Sequence, residues 1–211
     1  MTRNIDELNN LKPRAIDPKI YFGEMDLDEE EIERRIEFTE KANSIFDLIL
    51  VLLMVDAARY MEYRDRLETE LLFLINEYAV PDDYLIDYVN DFSYNFIDIT
   101  RKHPDEAWYT SSDRALFNAE NSANDVLNYD LYQKALKEGK THKKWITEKD
   151  NKVRETHREV EGKVIPIKDF YNVGGIMMRF PKDMEYAIDA PQETTNCRCQ
   201  CKYLSKDEKA Q

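Results

Sequence analysis

No apolar stretch in this 211-residue chain is long enough to cross a membrane. The longest, Leu48 to Val55, lies between Asp47 and Asp56 and falls far short of the roughly 20 residues a spanning helix needs, so it is read as a buried helix core. The opening residues Met1-Thr2-Arg3-Asn4 lead into polar and acidic sequence without the apolar centre of a secretory signal. That start predicts a chain that stays where it is made. Cysteine is scarce too: Cys197, Cys199 and Cys201, an odd number, stand together near the end. Their count and crowding argue against a disulfide scaffold. Positive charge is in deficit, 30 Lys and Arg against 43 Asp and Glu, for a net charge of −13. Such a chain is a poor non-specific ligand for nucleic acid as a whole, because phosphate contact is driven by counterion release to Lys and Arg. There is no internal repeat and no low-complexity tract.

What is present is mostly helical. The length suffices for a real core in one or two domains, and a mean hydropathy of −0.70 with 35% charged residues fits long solvated helix faces. Residues 1–27, punctuated by Pro13, Pro18 and Gly23, read as an extended arm. Asp28 followed by Glu31 is a capping-box-like start, and a long helix, or two in series with Ser44 and Asp47 opening the second, fills 28–79. Pro81-Asp82-Asp83 restarts the pattern, and Pro104 stops it after Arg101, Lys102 and His103. Ser111 or Ser112 caps a further helix that runs to Gly139, a C-cap glycine. Tyr84, Tyr88, Phe92, Tyr94 and Phe96 occupy nearly all sides of the helix after Pro81, so part of it is expected to lie against another subunit.

Beyond residue 139 the chain changes character. Val164-Ile165-Pro166-Ile167 and Ile176 to Phe180 are short apolar runs bounded by Gly and Pro, which read as strands. Glu161-Gly162 and Gly174-Gly175 supply the turns. The expected fold is α+β: an arm over 1–27, a helical domain over 28–139 built as a bundle or long helical hairpin, a small β-containing module over 140–205, and a tail over 206–211.

In the module, Trp145, Asp150, Arg154, His157, Gly162, Phe170, Pro181-Lys182-Asp183 and Asn196-Cys197-Arg198-Cys199 follow one another in an order that resembles the phage Mu F-like minor head, or head-morphogenesis, family. The resemblance spans roughly 60 residues. It implies a structural minor capsid protein of a tailed phage, not an enzyme, located in the virion at the portal vertex inside the head and in the host cytoplasm during assembly. Implied partners are the portal protein, the major capsid or scaffolding protein, and double-stranded DNA during packaging or ejection, with no membrane. Arg114, Glu120, Asn121 and Asn124 are similar in type to residues that precede the module in that family, and no role is carried onto them.

Charge and side-chain chemistry add three readings. Residues 1–133 carry a net −17 and residues 134–168 a net +5. Lys134, Lys137, Lys140, Lys143, Lys144, Lys149 and Lys152 therefore form the candidate DNA-contacting segment, with a solvated basic turn as the alternative. His157, Cys197 and Cys199, with Asp150 or Cys201 as a further ligand, suit zinc, with simple packing of the same residues as the alternative. Related domains carry a Cys-x-x-Cys pair near Arg154 and His157 and a histidine shortly before Asn196, whereas this chain has Arg154 at the first of those positions and Thr194 and Thr195 near the last. A nucleophile set of Cys197, His157 and Asn196 can be written, but nothing in the sequence orients it. The four-residue spacing of Asp150 and Arg154 reads as an ion pair.

Overall fold

The computed structural model describes residues 17–23, 25 and 27–208. The expected α+β architecture is present: a helical part is followed by a small sheet module. Helix α1 spans Pro18–Gly23, α2 Glu29–Val55, α3 Tyr60–Tyr78, α4 Asp83–Lys102 and α5 Ser112–Lys137. Aspartate or serine starts three of them. Asp28 accepts from the Glu31 amide at 2.8 Å, Asp82 from Leu85 at 3.2 Å and Ser111 from Arg114 at 3.2 Å, each satisfying an amide that a helix start leaves open.

Helices α2 to α5 form an up-down-up-down bundle, as their cross-contacts show. Phe38 and Lys41 of α2 meet Tyr78 and Glu77 at the far end of α3. The Arg101 guanidinium near the end of α4 sits 3.5 Å from the Tyr60 ring at the start of α3. Tyr84 stacks on Tyr129 at 4.0 Å, while Arg114 at the start of α5 bonds Thr100 at the end of α4. The core along α2 comprises Phe38, Ala42, Phe46, Ile49, Leu50 and Leu53, at spacings of one helical face.

Two expectations about this half are corrected. The chain breaks at Asp56, not near Ser44, because Asp56 leaves the helical region and caps a 3-10 turn over Ala57–Arg59, so α2 and α3 form a hairpin. The arm expected to be extended over 1–27 is helical over Pro18–Gly23, with Tyr21, Phe22 and Met25 buried in the common core. Residues 1–16, 24, 26 and 209–211, which take in the rest of that arm and the end of the tail, lie outside the described residues. The apolar run 48–55 is only half core: Ile49, Leu50 and Leu53 are buried, whereas Leu48, Val51, Met54 and Val55 face solvent. Among the described residues no helix is long and apolar enough to cross a membrane.

Gly139 ends α5 with φ +73°, the Lys140 amide returning to Ala135 and that of Gly139 to Leu136, the paired closure that a positive φ permits. The chain then enters β1 (His142–Ile146), which pairs antiparallel with β2 (Val164–Pro166) on one side and β5 (Gln200–Leu204) on the other. Strands β3 (Tyr171–Val173) and β4 (Ile176–Met178) make a separate hairpin whose turn is Gly174-Gly175, both at positive φ. Short helices α6 (Glu155–Arg158), α7 (Met184–Ala187) and α8 (Pro191–Thr194) lie in the connections. The sequence pattern did not reveal β1 and β5. Their alternation is carried by lysines and cysteines, and Lys143 and Trp145 point inward, fully buried. One continuous hydrophobic cluster includes residues on both sides of the 139/140 boundary, so no second core begins there.

Candidate functional site

Helix α5 is the surface on which the module is seated. Asn121, Asp125 and Asn128, three or four residues apart on one face, meet module loops in place of solvent. Asn128 Nδ2 donates to the carbonyls of Pro181 (3.1 Å) and Cys199 (3.3 Å). Lys182 Nζ donates to Asn121 Oδ1 at 2.9 Å and lies 3.2 Å from Asp125 Oδ1, and the Asn196 amide donates to the same Asn121 oxygen at 2.8 Å. Lys182 and Asn196 both hold left-handed backbone, φ +64° and +54°, a conformation that costs a non-glycine residue energy and that these bonds fix. From the opposite side the fully buried Arg35 of α2 bonds Asn124, Asn128 (3.0 Å) and Glu31 (3.0 Å). Burial pulls the Arg35 pKa down and the Glu31 carboxylate opposes it.

This seam places Cys199 against His157. The imidazole Nδ1 lies 3.3 Å from Cys199 Sγ and 3.6 Å from Cys197 Sγ, and the three ligand atoms fall within 4.8 Å of one another. All three side chains are buried. On the other edge of the ring, Nε2 lies 3.2 Å from Glu193 Oε2, off the line of a hydrogen bond. Thr156 Oγ1 donates to that same oxygen at 2.8 Å. Trp145 covers the histidine edge-on, with ring centroids 5.7 Å apart. A bond from Cys199 holds the Cys197 thiol well below its ordinary pKa, against burial and with help from His157. The Cys199 thiol is pushed well above its own by the same bond and by burial. Burial draws the His157 pKa down, and the bond and charge of Cys197 outweigh it, leaving it raised.

The arrangement fits a tetrahedral cation. Bond lengths of about 2.3 Å to sulfur and 2.0–2.1 Å to nitrogen imply N to S edges of about 3.6 Å, close to the observed 3.3 and 3.6 Å. A carboxylate behind the outer ring nitrogen is the usual orienting partner of a ligating histidine. The adjoining cavity, lined in part by Glu148, Arg154 and Asn196, measures about 20 Å3. It has room for an ion or one water. No oriented Cys197, His157 and Asn196 nucleophile set is formed: Asn196 turns to Asn121 of α5, and the residue behind the imidazole is Glu193.

The other expected residues separate. Cys201 lies outside the three-ligand group, across the β1–β5 ladder from Trp145, and its thiol is pushed up to about 12 by burial. Asp150 does not pair with Arg154. It pairs with Arg198, because the chain returns there beside the Asp150 turn, while Arg154 donates to the Thr195 carbonyl. Asp150 is thereby also removed from the ligand set. Gly162 takes φ +71° to return its amide to Trp145 at 2.9 Å, and Phe170 packs edge-on against Tyr186. Of the seven lysines, Lys143 is withdrawn from any basic face. It is fully buried, its Nζ 2.6 Å from the Asp169 carbonyl, and burial pulls its pKa down to about 8. Lys134 pairs with Asp130 and Lys140 with Glu208. Lys149 holds a left-handed turn, Lys152 donates its amide to Asp150, and Lys144 projects from β1 opposite Lys202. Lys137 closes the last turn of α5.

Sequence reasoning missed Arg35, Asn128 and Glu193, and it singled out Lys182 without finding its partners on α5. The one available signal for the seam was the polar row Asn121, Asn124, Asp125 and Asn128, which runs at helical spacing through a helix that otherwise buries alanine and leucine. No curated protein and no solved structure matches the chain. The family described as Phage Mu protein F like protein matches residues 94–202, which takes in the end of α4, all of α5 and the module to β5; this is more than half of the 211 residues, and the chain belongs to that family.

Proposed function

We propose that this phage head-morphogenesis protein is a minor structural component of the head, held at the portal vertex on the interior side and acting in assembly and in DNA packaging or ejection. The observation that carries this reading is the family match itself, which begins in α4 and so covers α5 together with the module seated on it. Two buried thiols and a buried imidazole are ligand types of structural zinc sites and support a structural role. In the same reading His157, Cys197 and Cys199 hold zinc, which supplies folding energy to a module too small for a comfortable core of its own. Glu193 orients the histidine. Elemental analysis of the purified protein is then expected to find about one zinc per chain, and a chelator to lower its melting temperature. A metal-free protein indifferent to chelator assigns the cluster to packing alone.

The vertex assignment is tested by quantifying the chain in purified heads and by imaging the vertex by electron cryomicroscopy. A low copy number matched to the portal and density beside it are expected. Distribution over the whole shell, or absence from heads, contradicts the assignment.

A further inference from the structure

Helix α4 carries an aromatic row that packs into the bundle on one side and lines a groove on the other, and beside it an acidic row. Tyr84, Tyr88 and Phe92, one turn apart, floor a groove of about 620 Å3 whose far wall includes Ile188, 45% exposed. Asp83, Asp87 and Asp91 run along the same groove at the same spacing, and all three are exposed. Neighbouring acids find cations within the chain: Asp98 pairs with Lys102 and Glu185 with Arg179. Among the described residues Asp83, Asp87 and Asp91 have no such partner. Asp83 suits the first turn of α4, but like charges four residues apart on a helix repel one another, so the bundle gains nothing from Asp87 and Asp91.

The floor is pre-formed. Tyr84 is stacked on Tyr129 at 4.0 Å, Tyr88 donates to Ser122 at 2.9 Å, and the Phe92 ring lies 5.9 Å from Tyr88. Rings already fixed cost little to order when something binds them. Their faces attract both hydrocarbon and cations.

We propose that this groove is the docking site for a cationic amphipathic helix of a partner protein, which sets Lys or Arg at every fourth residue against the three aspartates and aliphatic side chains over the rings. The charge row excludes nucleic acid as the occupant. Its length favours a helix over a small cation: Asp83 to Asp91 rises about 12 Å along α4, and a second helix repeats its charges at that same one-turn interval. The proposal stands whether or not the partner is the portal protein.

The test uses the full-length protein and a fluorescein-labelled synthetic helix of about 18 residues, with lysine every fourth position and leucines flanking that row. Fluorescence anisotropy is expected to show saturable binding that weakens about tenfold in Asp83→Asn/Asp87→Asn/Asp91→Asn, since three partly exposed charge pairs together are worth about that factor. The charge-matched control Glu33→Gln/Glu37→Gln/Glu40→Gln, which removes an exposed row from α2, is expected to bind within about twofold of the parent protein. Ile188→Asp is expected to weaken binding of the leucine peptide and not of a peptide in which alanine replaces leucine. Equal loss in both triple variants shows attraction to net charge alone and overturns the proposal. So does absence of binding to the parent protein when circular dichroism finds it folded.

Discussion

Around Phe46 the molecule is closed by hydrocarbon, and around Cys199 by polar atoms. Phe46 meets Phe92 and Phe96 at 5.0 and 5.3 Å between ring centroids, with Ile49, Leu50 and Leu71 buried nearby in the same core. Apolar burial of this kind is non-directional and tolerates small shifts. Cys199 is fixed instead by a donated bond from Asn128 and by His157 Nδ1. Those contacts depend on distance and angle, and a missing partner leaves a buried group unsatisfied. The contrast explains why a module of five short strands keeps so definite a geometry. It takes its framework from α5 and so from the bundle, and the stretch shared with the family accordingly begins before α5.

Arg35 is the side chain that joins the two modes. Arg35→Ala leaves Glu31, Asn124 and Asn128 without their common donor inside the protein. A loss of about 3–5 kcal/mol is expected from denaturant unfolding, the range for uncoupling a buried charge from its partners. A loss below about 1 kcal/mol would mean that the seam contributes little.

Gly174 and Gly175 differ in their surroundings within a single turn. A Cβ on Gly174 would stand 2.7 Å from Glu193 Oε1 and 3.0 Å from Thr156 Cγ2 at φ +60°, whereas one on Gly175 would meet nothing within 4 Å. Gly174→Ala is expected to cost about 2 kcal/mol and Gly175→Ala about 1, because both share the backbone penalty and only the first displaces the carboxylate behind His157. Equal costs would remove Glu193 from the account of how the histidine is held.

Glu120 supplies the smallest effect and a sign. Its side chain is 2% exposed, Oε1 finds no donor, and burial pushes its pKa up to about 8 from an ordinary 4.5. The folded chain therefore keeps a proton that the unfolded chain releases. The stability linked to that proton is complete below about pH 4.5 and is lost as pH rises through about 8. Glu120→Gln is expected to flatten this decline and to gain at least about 1 kcal/mol at pH 8, roughly 2–4 °C in Tm. Parallel pH profiles for parent and variant would show that Glu120 is solvated.

The sequence made the bundle legible because its signals were local: caps at Asp28, Asp82 and Ser111, a stop at Gly139, and apolar stripes at helical spacing. It also grouped His157, Cys197 and Cys199, since thiolate and imidazole are the ligands that zinc prefers. What it hid depends on contacts distant along the chain. The break at Asp56 rests on one residue leaving the helical region at the end of an apolar run. Asp150 has Arg154 at a favourable spacing and pairs instead with Arg198, 48 residues away. Lys143 looked like one of a row of surface lysines, yet strand alternation turns it into the core beside Tyr132 and Tyr171. The seam was hidden in composition, because asparagine on a helix reads as solvent-facing until something is known to cover it.

Because α5 carries the module, the two are expected to open as one unit, and native-state hydrogen exchange on the full-length protein measures this. Amides of α5 between 121 and 128 and those of β1 and β5 are expected to exchange with one common opening free energy and one denaturant dependence. Exchange of β1 and β5 at a distinctly lower free energy, with α5 still protected, would show an independent module and contradict the account.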